Sequence, residues 1–296
     1  VDRPLTFLPT PPVIDQGGFT VTNKRPLLLF SGGLDSTTML YAALQESDVD
    51  VLFCDCGQHA QKIQAERLAR RNIIRWMNEE RVVESGKERF HVVHEFNYSG
   101  VNFTSAPSMM STQSVPWLVA ALYHCDPRCH SEVRIGYVMG DDALIYRHEI
   151  QEAWRNLCLF SKTDAVPLEF PLLHYRKEQL LKWLPADLLD LIWVCETPKW
   201  RGMEIVACGH CKPCERHNRE MKSAFGTTVQ FKKFVKQAKE ANRQWRERRD
   251  QEIIAENIKK EEHGEKVRDE VVEDAPILTA PNAGDSSVEC APALAG

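Results

Sequence analysis

The 296-residue sequence predicts an α/β protein: a parallel sheet with helices on both faces, a small four-cysteine element, and a charged helix toward the C-terminus. Three observations predict it. Short apolar runs alternate with amphipathic stretches from residue 25 onward, the rhythm of strand–helix–strand units. The first apolar run leads into Ser31-Gly32-Gly33-Leu34-Asp35-Ser36, a glycine turn that opens a helix. Cys208, Cys211 and Cys214 then recur every third residue, as metal-binding thiolates do.

Composition narrows the class. Hydrophobic residues make up 43% and charged residues 27%, the balance of a soluble globular chain. The formal net charge of -5 gives no global attraction to nucleic acid or anionic membrane. No apolar run reaches the roughly 20 residues that span a bilayer. Val1-Asp2-Arg3-Pro4 lacks the basic and apolar regions of an export signal, so the expectation is a cytoplasmic protein. Ten cysteines in that compartment stay reduced, so a close cluster of them points to metal.

The elements follow in order. Residues 1–24, rich in Pro, Thr and Gly, read as an N-terminal arm. Pro26-Leu27-Leu28-Leu29-Phe30 reads as a buried strand, and Met39 to Leu44 as helix. Between them, Phe30, Ser31, Gly32, Gly33, Leu34, Asp35, Ser36, Thr37 and Thr38 have the layout that holds phosphate. The glycines admit close backbone approach, and the helix start offers free amides and the positive end of its dipole. The ending Gly-Lys-Ser/Thr is absent, so this is not a Walker loop. Further strands are expected at 49–54, 91–96 and 132–138, with helices at 61–77, 115–124, 145–160 and 176–184. Residues 167–173 read as a proline-bounded loop or short edge strand. The body is taken as 25–226, the charged helix as 227–262 and a disordered tail as 263–296. The basic residues of that helix, Lys232 to Arg249 among them, are taken as a solvated face that the acidic tail can neutralise.

The cysteines carry the second signal. Cys208-Gly209-His210-Cys211-Lys212-Pro213-Cys214 places three thiolates around one point, and Cys195 can close a tetrahedron. A structural zinc ion held by these four is the expectation. A redox pair would not need Cys195 and Cys208, and an iron–sulfur cluster could use the same four ligands. His210 sits inside the turn and is not counted as a ligand. Cys125, Cys129, His124 and His130 form a second, weaker metal-site pattern.

The phosphate loop resembles the Ser-Gly-Gly-x-Asp-Ser string of the PP-loop ATP pyrophosphatases, which implies a Rossmann-like core of that type. With the cysteine element in the same order, residues 27–219 resemble the 7-cyano-7-deazaguanine synthase family. Asp55-Cys56-Gly57-Gln58-His59 is similar to that family's Asp-Tyr-Gly-Gln-Arg-His element, and Gly140-Asp141-Asp142 falls where its substrate loop lies. Pro171-Leu172 followed by Lys177 resembles its Pro-Leu…Lys segment, and Arg216 or Arg219 falls near the arginine that follows its last cysteine. Two departures stand out. Ser114-Val115-Pro116-Trp117 replaces a Pro-Gly-Arg-Asn motif, and Leu144-Ile145-Tyr146-Arg147-His148 replaces Tyr-Pro-Asp-Cys-Arg.

The resemblance implies an ATP-dependent carbon–nitrogen ligase that adenylates 7-carboxy-7-deazaguanine and passes it to an amine. Ser31, Asp35, Ser36 and Lys177 would be catalytic, with Asp35 placing Mg2+ and the rest of the loop holding ATP. Gln58, His59, Asp141, Asp142 and Arg147 would meet the substrate. The amine would be ammonia, giving the nitrile, or a protein amine, as in relatives from anti-phage defence operons; the missing Arg-Asn pair and the added tail fit the latter. A homodimer and no direct nucleic-acid contact are expected. A binding module without catalysis and a tRNA thiolase are the remaining readings.

Overall fold

The computed structural model describes residues 24–55, 60–79, 90–99, 114–202 and 204–226, with seven positions beyond: Lys236, Glu240, Arg243, Gln244, Glu247, Gln251 and Ala255. Strand β1 (Arg25–Leu29) carries Leu27, Leu28 and Leu29, all buried although successive side chains point to opposite faces. A strand buried on both faces belongs in the middle of a covered parallel sheet. It lies there. The order is β3 (Val92–Ser99), β2 (Val49–Asp55), β1, β4 (His130–Arg134), β5 (Leu168–Glu169), and each pairing is parallel.

The two faces are separate cores. Leu28, Phe30, Val49 and Val51 pack with α1 (Leu34–Ala43), α2 (Ala60–Glu79), α5 (Lys177–Trp183) and α6 (Ala186–Leu191). Leu27, Leu29, Leu52 and Val133 pack with α3 (Ser114–His124) and α4 (Arg147–Phe160) on the other side. Helix α1 thus leaves β1 toward one face, while α4 follows β4 on the other. The carboxyl ends of β1 and β4 therefore flank a crevice where the winding reverses, the place where such sheets bind ligands.

Several boundaries differ from the sequence expectation for physical reasons. Strand β4 ends at Arg134 because the chain turns at Gly136, where the Tyr137 N–H bonds back to the Ile135 carbonyl at 3.0 Å. Helix α4 starts at Arg147 because a 3-10 turn, Asp142–Tyr146, precedes it. Strand β5 has two residues between Pro167 and Pro171, as an edge strand does. Helix α6, the antiparallel hairpin β6 (Lys199–Arg201) with β7 (Glu204–Val206), and α7 (Lys212–Phe225) were not expected.

The predicted arm and tail lie outside the described residues. Of the charged helix only isolated positions are described, and these are helical and exposed. Among them Arg243 pairs with Glu240 and Glu247 at 2.6 and 3.1 Å, one helical turn to each side. No helix of the described residues is long and apolar enough to cross a membrane.

The amino ends of the strands share a buried charge cluster. Asp50 is 1% exposed. It accepts from the His94 backbone N–H at 3.1 Å and from His130 Nε2 at 2.9 Å, and Arg25 Nε lies 2.8 Å away. The His130 Nδ1 accepts from the Asp126 N–H, so Nε2 carries the proton. These bonds hold four strand starts together.

Candidate active site and metal centre

The loop between β1 and α1 is built by its own hydroxyls. The Ser31 N–H donates to Ser36 Oγ (3.2 Å), the Gly33 N–H donates to Ser31 Oγ (3.3 Å), and the two hydroxyls lie 3.1 Å apart. Gly32 has φ +79, and a Cβ there would meet Arg70 Cγ at 3.0 Å, so both conformation and space require glycine. The first turn of α1 leaves the N–H groups of Leu34, Asp35 and Ser36 without intrahelical partners, ready for an anion. Phe30 and Leu34 point into the core, so only their backbone can serve a ligand. Thr38 Oγ1 donates to the Leu34 carbonyl at 2.8 Å, and Thr37 is fully buried with an unpartnered hydroxyl.

Lys177 and Asp141 come to this loop from far along the chain. Lys177 Nζ donates to Asp35 Oδ2 at 2.9 Å and lies 3.3 Å from Asp141 Oδ1. Asp141 is itself fixed, because its Oδ2 accepts the Val138 N–H at 3.0 Å. Lys177 opens α5, whose start is closed by the Gln179 side chain accepting the Arg176 N–H (2.8 Å). Burial pushes the Asp35 carboxyl up to about 6, opposed by Lys177 and reinforced by Asp141. Burial alone would lower the Lys177 ammonium, yet Asp35 and Asp141 outweigh it and raise it. Asp35 Oδ1 is buried with no hydrogen-bond partner. An orphaned carboxylate oxygen beside a phosphate loop fits a hard cation such as Mg2+.

Gly136 escaped sequence reasoning. A Cβ there would sit 3.1 Å from the Asp35 carbonyl carbon, so glycine lets β4 touch the start of α1. An isolated glycine at the end of an apolar strand was the available signal. A cavity opens beside the loop between residues 29–31, residues 52–54 and Trp117. Trp117 stacks on Tyr137 (6.4 Å, 21°), whose hydroxyl lies 2.9 Å from Ser114 Oγ. Asp142 and Arg147 are exposed, and neither makes an ion pair among the described residues. Gln58 and His59 lie outside the described residues.

The four cysteines converge. The Sγ atoms of Cys195, Cys208, Cys211 and Cys214 all lie within 4.8 Å of one another, with 4.0 Å between Cys195 and Cys211. A tetrahedral ion with bonds of about 2.3 Å asks for sulfurs roughly 3.8 Å apart, so the set fits a single ion. Backbone N–H groups already point at sulfur: Cys208 to Cys195 at 3.2 Å and Cys211 to Cys208 at 3.3 Å. The Thr197 hydroxyl, 3.3 Å from its sulfur, draws the Cys208 thiol down to about 5, while burial raises Cys195 and Cys214. His210 turns its Nδ1 to the Cys208 carbonyl (2.9 Å) and is not in the set. Among the described residues no other group can share an ion; His130 is committed to Asp50.

No family model matches the chain. A 7-cyano-7-deazaguanine synthase 2 from Rhodopseudomonas palustris (strain HaA2) is 25% identical over 213 residues, which is 67% of this chain and 96% of that protein. The U34-tRNA thiolase NcsA from Methanococcus maripaludis, solved with its [4Fe-4S] cluster, superposes with a TM-score of 0.40 at 13% identity, over 75% of this chain and 72% of that one.

A parallel sheet with the Ser-Gly-Gly-Leu-Asp-Ser loop at its first strand is an α/β fold that presents an anion-ready loop at its switch point. The chain, with its cysteine tetrad, is similar to a 7-cyano-7-deazaguanine synthase over nearly the whole length of that protein.

Proposed function

We propose that the protein adenylates the carboxylate of 7-carboxy-7-deazaguanine with ATP and transfers the acyl group to an amine. The observation that carries this is the meeting of Lys177, Asp35 and Asp141 at the phosphate loop, between the ends of β1 and β4. The N–H groups of Leu34, Asp35 and Ser36 and the hydroxyls of Ser31 and Ser36 hold the β- and γ-phosphates. Asp35, whose Oδ1 is buried without a partner, would hold Mg2+, and the ion would supply charge neutralisation on the phosphates. Lys177, pinned between two carboxylates, presents its remaining proton to the substrate carboxylate and the α-phosphate.

A carboxylate oxygen attacks the α-phosphorus, the bond from that phosphorus to the β-bridging oxygen breaks, and pyrophosphate leaves. The amine then attacks the acyl carbon and AMP leaves, carrying the oxygen that bonded to phosphorus. The protein's part is positioning and charge, as in other phosphoryl chemistry. Asp141 accepts from the guanine-like edge on its remaining lone pairs in this reading. A second adenylation of the amide yields the nitrile when ammonia is the amine.

A specific observation favours a protein amine as the alternative acceptor. At the start of α3, Ser114 and Trp117 build an aromatic wall with Tyr137 where relatives place Arg-Asn. The pocket for the second reactant is therefore chemically different. The four thiolates are proposed to hold Zn2+ in a structural role, because their spacing suits one ion rather than a cluster that spreads its ligands over several metals.

The test is product analysis by mass spectrometry. Full-length protein is incubated with ATP, Mg2+ and 7-carboxy-7-deazaguanine, with and without ammonium. AMP together with the nitrile supports the synthase reaction, and AMP or a trapped adenylate without nitrile points to a protein acceptor. No substrate-dependent AMP overturns the proposal.

A further inference from the structure

The segment between α6 and the hairpin runs from the phosphate loop to the cysteine tetrad in three residues, Trp193 to Cys195. Trp193 donates its backbone N–H to the Gly32 carbonyl at 3.0 Å. Its carbonyl sits 3.7 Å from where a Cβ on Gly33 would lie, so this strand of chain lies flat against both loop glycines. The same residue donates its indole Nε1–H to the Cys195 carbonyl at 2.9 Å. Cys195 is fully buried and is one of the four convergent sulfurs. The next residue, Glu196, pairs with Lys62 of α2, a buried lysine that also lies 3.5 Å from Glu66. Helix α2 carries Arg70, whose side chain packs under Gly32 and stacks on Phe53 with Cζ 3.3 Å from the ring centroid.

The other arm of the tetrad leads toward Lys177. Cys211 caps α7 and Cys214 lies in its first turn, and α7 packs along α5, the helix that Lys177 opens. One arm of the tetrad thus meets the phosphate loop directly through Trp193, and the other approaches it through α5 and the Lys177–Asp35 pair. An ion joining four sulfurs would close the ring.

We propose that Trp193 is a positioning residue that ties the cysteine tetrad to the phosphate loop, so that metal occupancy at the tetrad sets how tightly the loop binds nucleotide. This rests on the reading of the loop as the ATP site. The physical basis is linkage: if an ordered segment is shared by two sites, binding at one lowers the ordering cost at the other, and the coupling is reciprocal. With the tetrad empty, Cys195 loses its tie to α7, the indole bond no longer has a fixed acceptor, and the Gly32 carbonyl loses a fixed donor.

The test compares full-length protein in three forms: metal-loaded, chelator-stripped under reducing conditions, and metal-loaded Trp193→Phe, which keeps all four cysteines and the backbone N–H. Trp200→Phe is the control, since that indole is exposed on the hairpin. Hydrogen exchange is followed at residues 31–38 and 192–197, and Mg·ATP affinity is measured by calorimetry. Stripping is expected to raise exchange in both segments while strands β1 and β2 stay protected. Trp193→Phe is expected to raise exchange at 31–38 with metal fully retained, and to weaken Mg·ATP about threefold to tenfold, the worth of one ordinary hydrogen bond. Stripped Trp193→Phe should be no worse than stripped wild type, because the two changes break one link.

Unchanged exchange at 31–38 in Trp193→Phe, or effects of stripping and substitution that simply add, overturns the proposal. Should stripping unfold the chain, the metal-loaded Trp193→Phe comparison decides alone. Should loaded wild type bind no Mg·ATP, the nucleotide reading fails, while the exchange comparison still decides whether the tetrad and the loop are coupled.

Discussion

Two aspartates at opposite ends of the sheet show how differently the chain treats two carboxylates. Asp50, at the amino end, is 1% exposed and fully engaged by His130, the His94 N–H and Arg25. Burial raises its carboxyl, but His130 and Arg25 overcome that and hold it below its ordinary value. Asp35, at the carboxyl end, has Lys177 on one oxygen and nothing on the other, and burial pushes it up to about 6. The first carboxylate is satisfied by the chain itself. The second is left unsatisfied where a ligand would complete it, the pattern of a site whose charge is spent on function.

The largest predicted effects break that contrast in opposite directions. Asp50→Ala strands a buried histidine and arginine, so it should cost about 3–5 kcal/mol of stability by urea denaturation. Asp35→Asn should leave the urea midpoint equal or higher, yet lower kcat/KM for AMP formation by about 100- to 1000-fold. Equal stability losses in the two variants would erase the distinction.

Gly136→Ala is expected to fall between them. Its Cβ would press on the Asp35 backbone at 3.1 Å, costing about 1–3 kcal/mol and weakening Mg·ATP binding. A measured midpoint equal to wild type would show that the end of β4 can move away without consequence.

The pH dependence sharpens the comparison through its sign. Because Asp50 is depressed in the folded state, its contribution is present above 3.8 and is lost as pH falls through the lower folded value. Because Asp35 is raised, its contribution runs the other way: stability falls as pH rises from 3.8 to about 6. Below about 6 the protonated Asp35 cannot hold a cation, so Mg·ATP affinity should drop roughly tenfold per pH unit, and Asp35→Asn should abolish that slope. The smallest effect belongs to the exposed ion pairs of the charged helix. Arg243→Ala should leave the urea midpoint where it is in the wild type.

The same contrast explains what was readable from sequence. The phosphate loop and three of the cysteines are short local strings, so their chemistry is written in adjacent residues. The alternation of Leu27 and Leu29 with Leu28 and Phe30 on a doubly buried strand likewise announced a covered parallel sheet. Lys177 meets Asp35 across 142 residues, and spacing does not report such a pairing. Its place in the site came from resemblance alone. Asp141 could be named with Asp142, but only the fold separates the one that reaches Lys177 from the one that faces solvent. Helix α7 was obscured by its charged residues, although Cys214, His217, Met221 and Phe225 mark one face and Pro213 sits in its first turn. Helix α6 has six residues and the hairpin strands three each, too short for any period to show.

The measurement that tests the central claim most directly follows an oxygen atom. 7-Carboxy-7-deazaguanine labelled with 18O in its carboxylate is turned over with ATP, Mg2+ and the amine, and the AMP is weighed. Attack of the carboxylate on the α-phosphorus predicts AMP carrying one 18O from the substrate, with unlabelled pyrophosphate. Unlabelled AMP, or ADP in its place, would contradict the account.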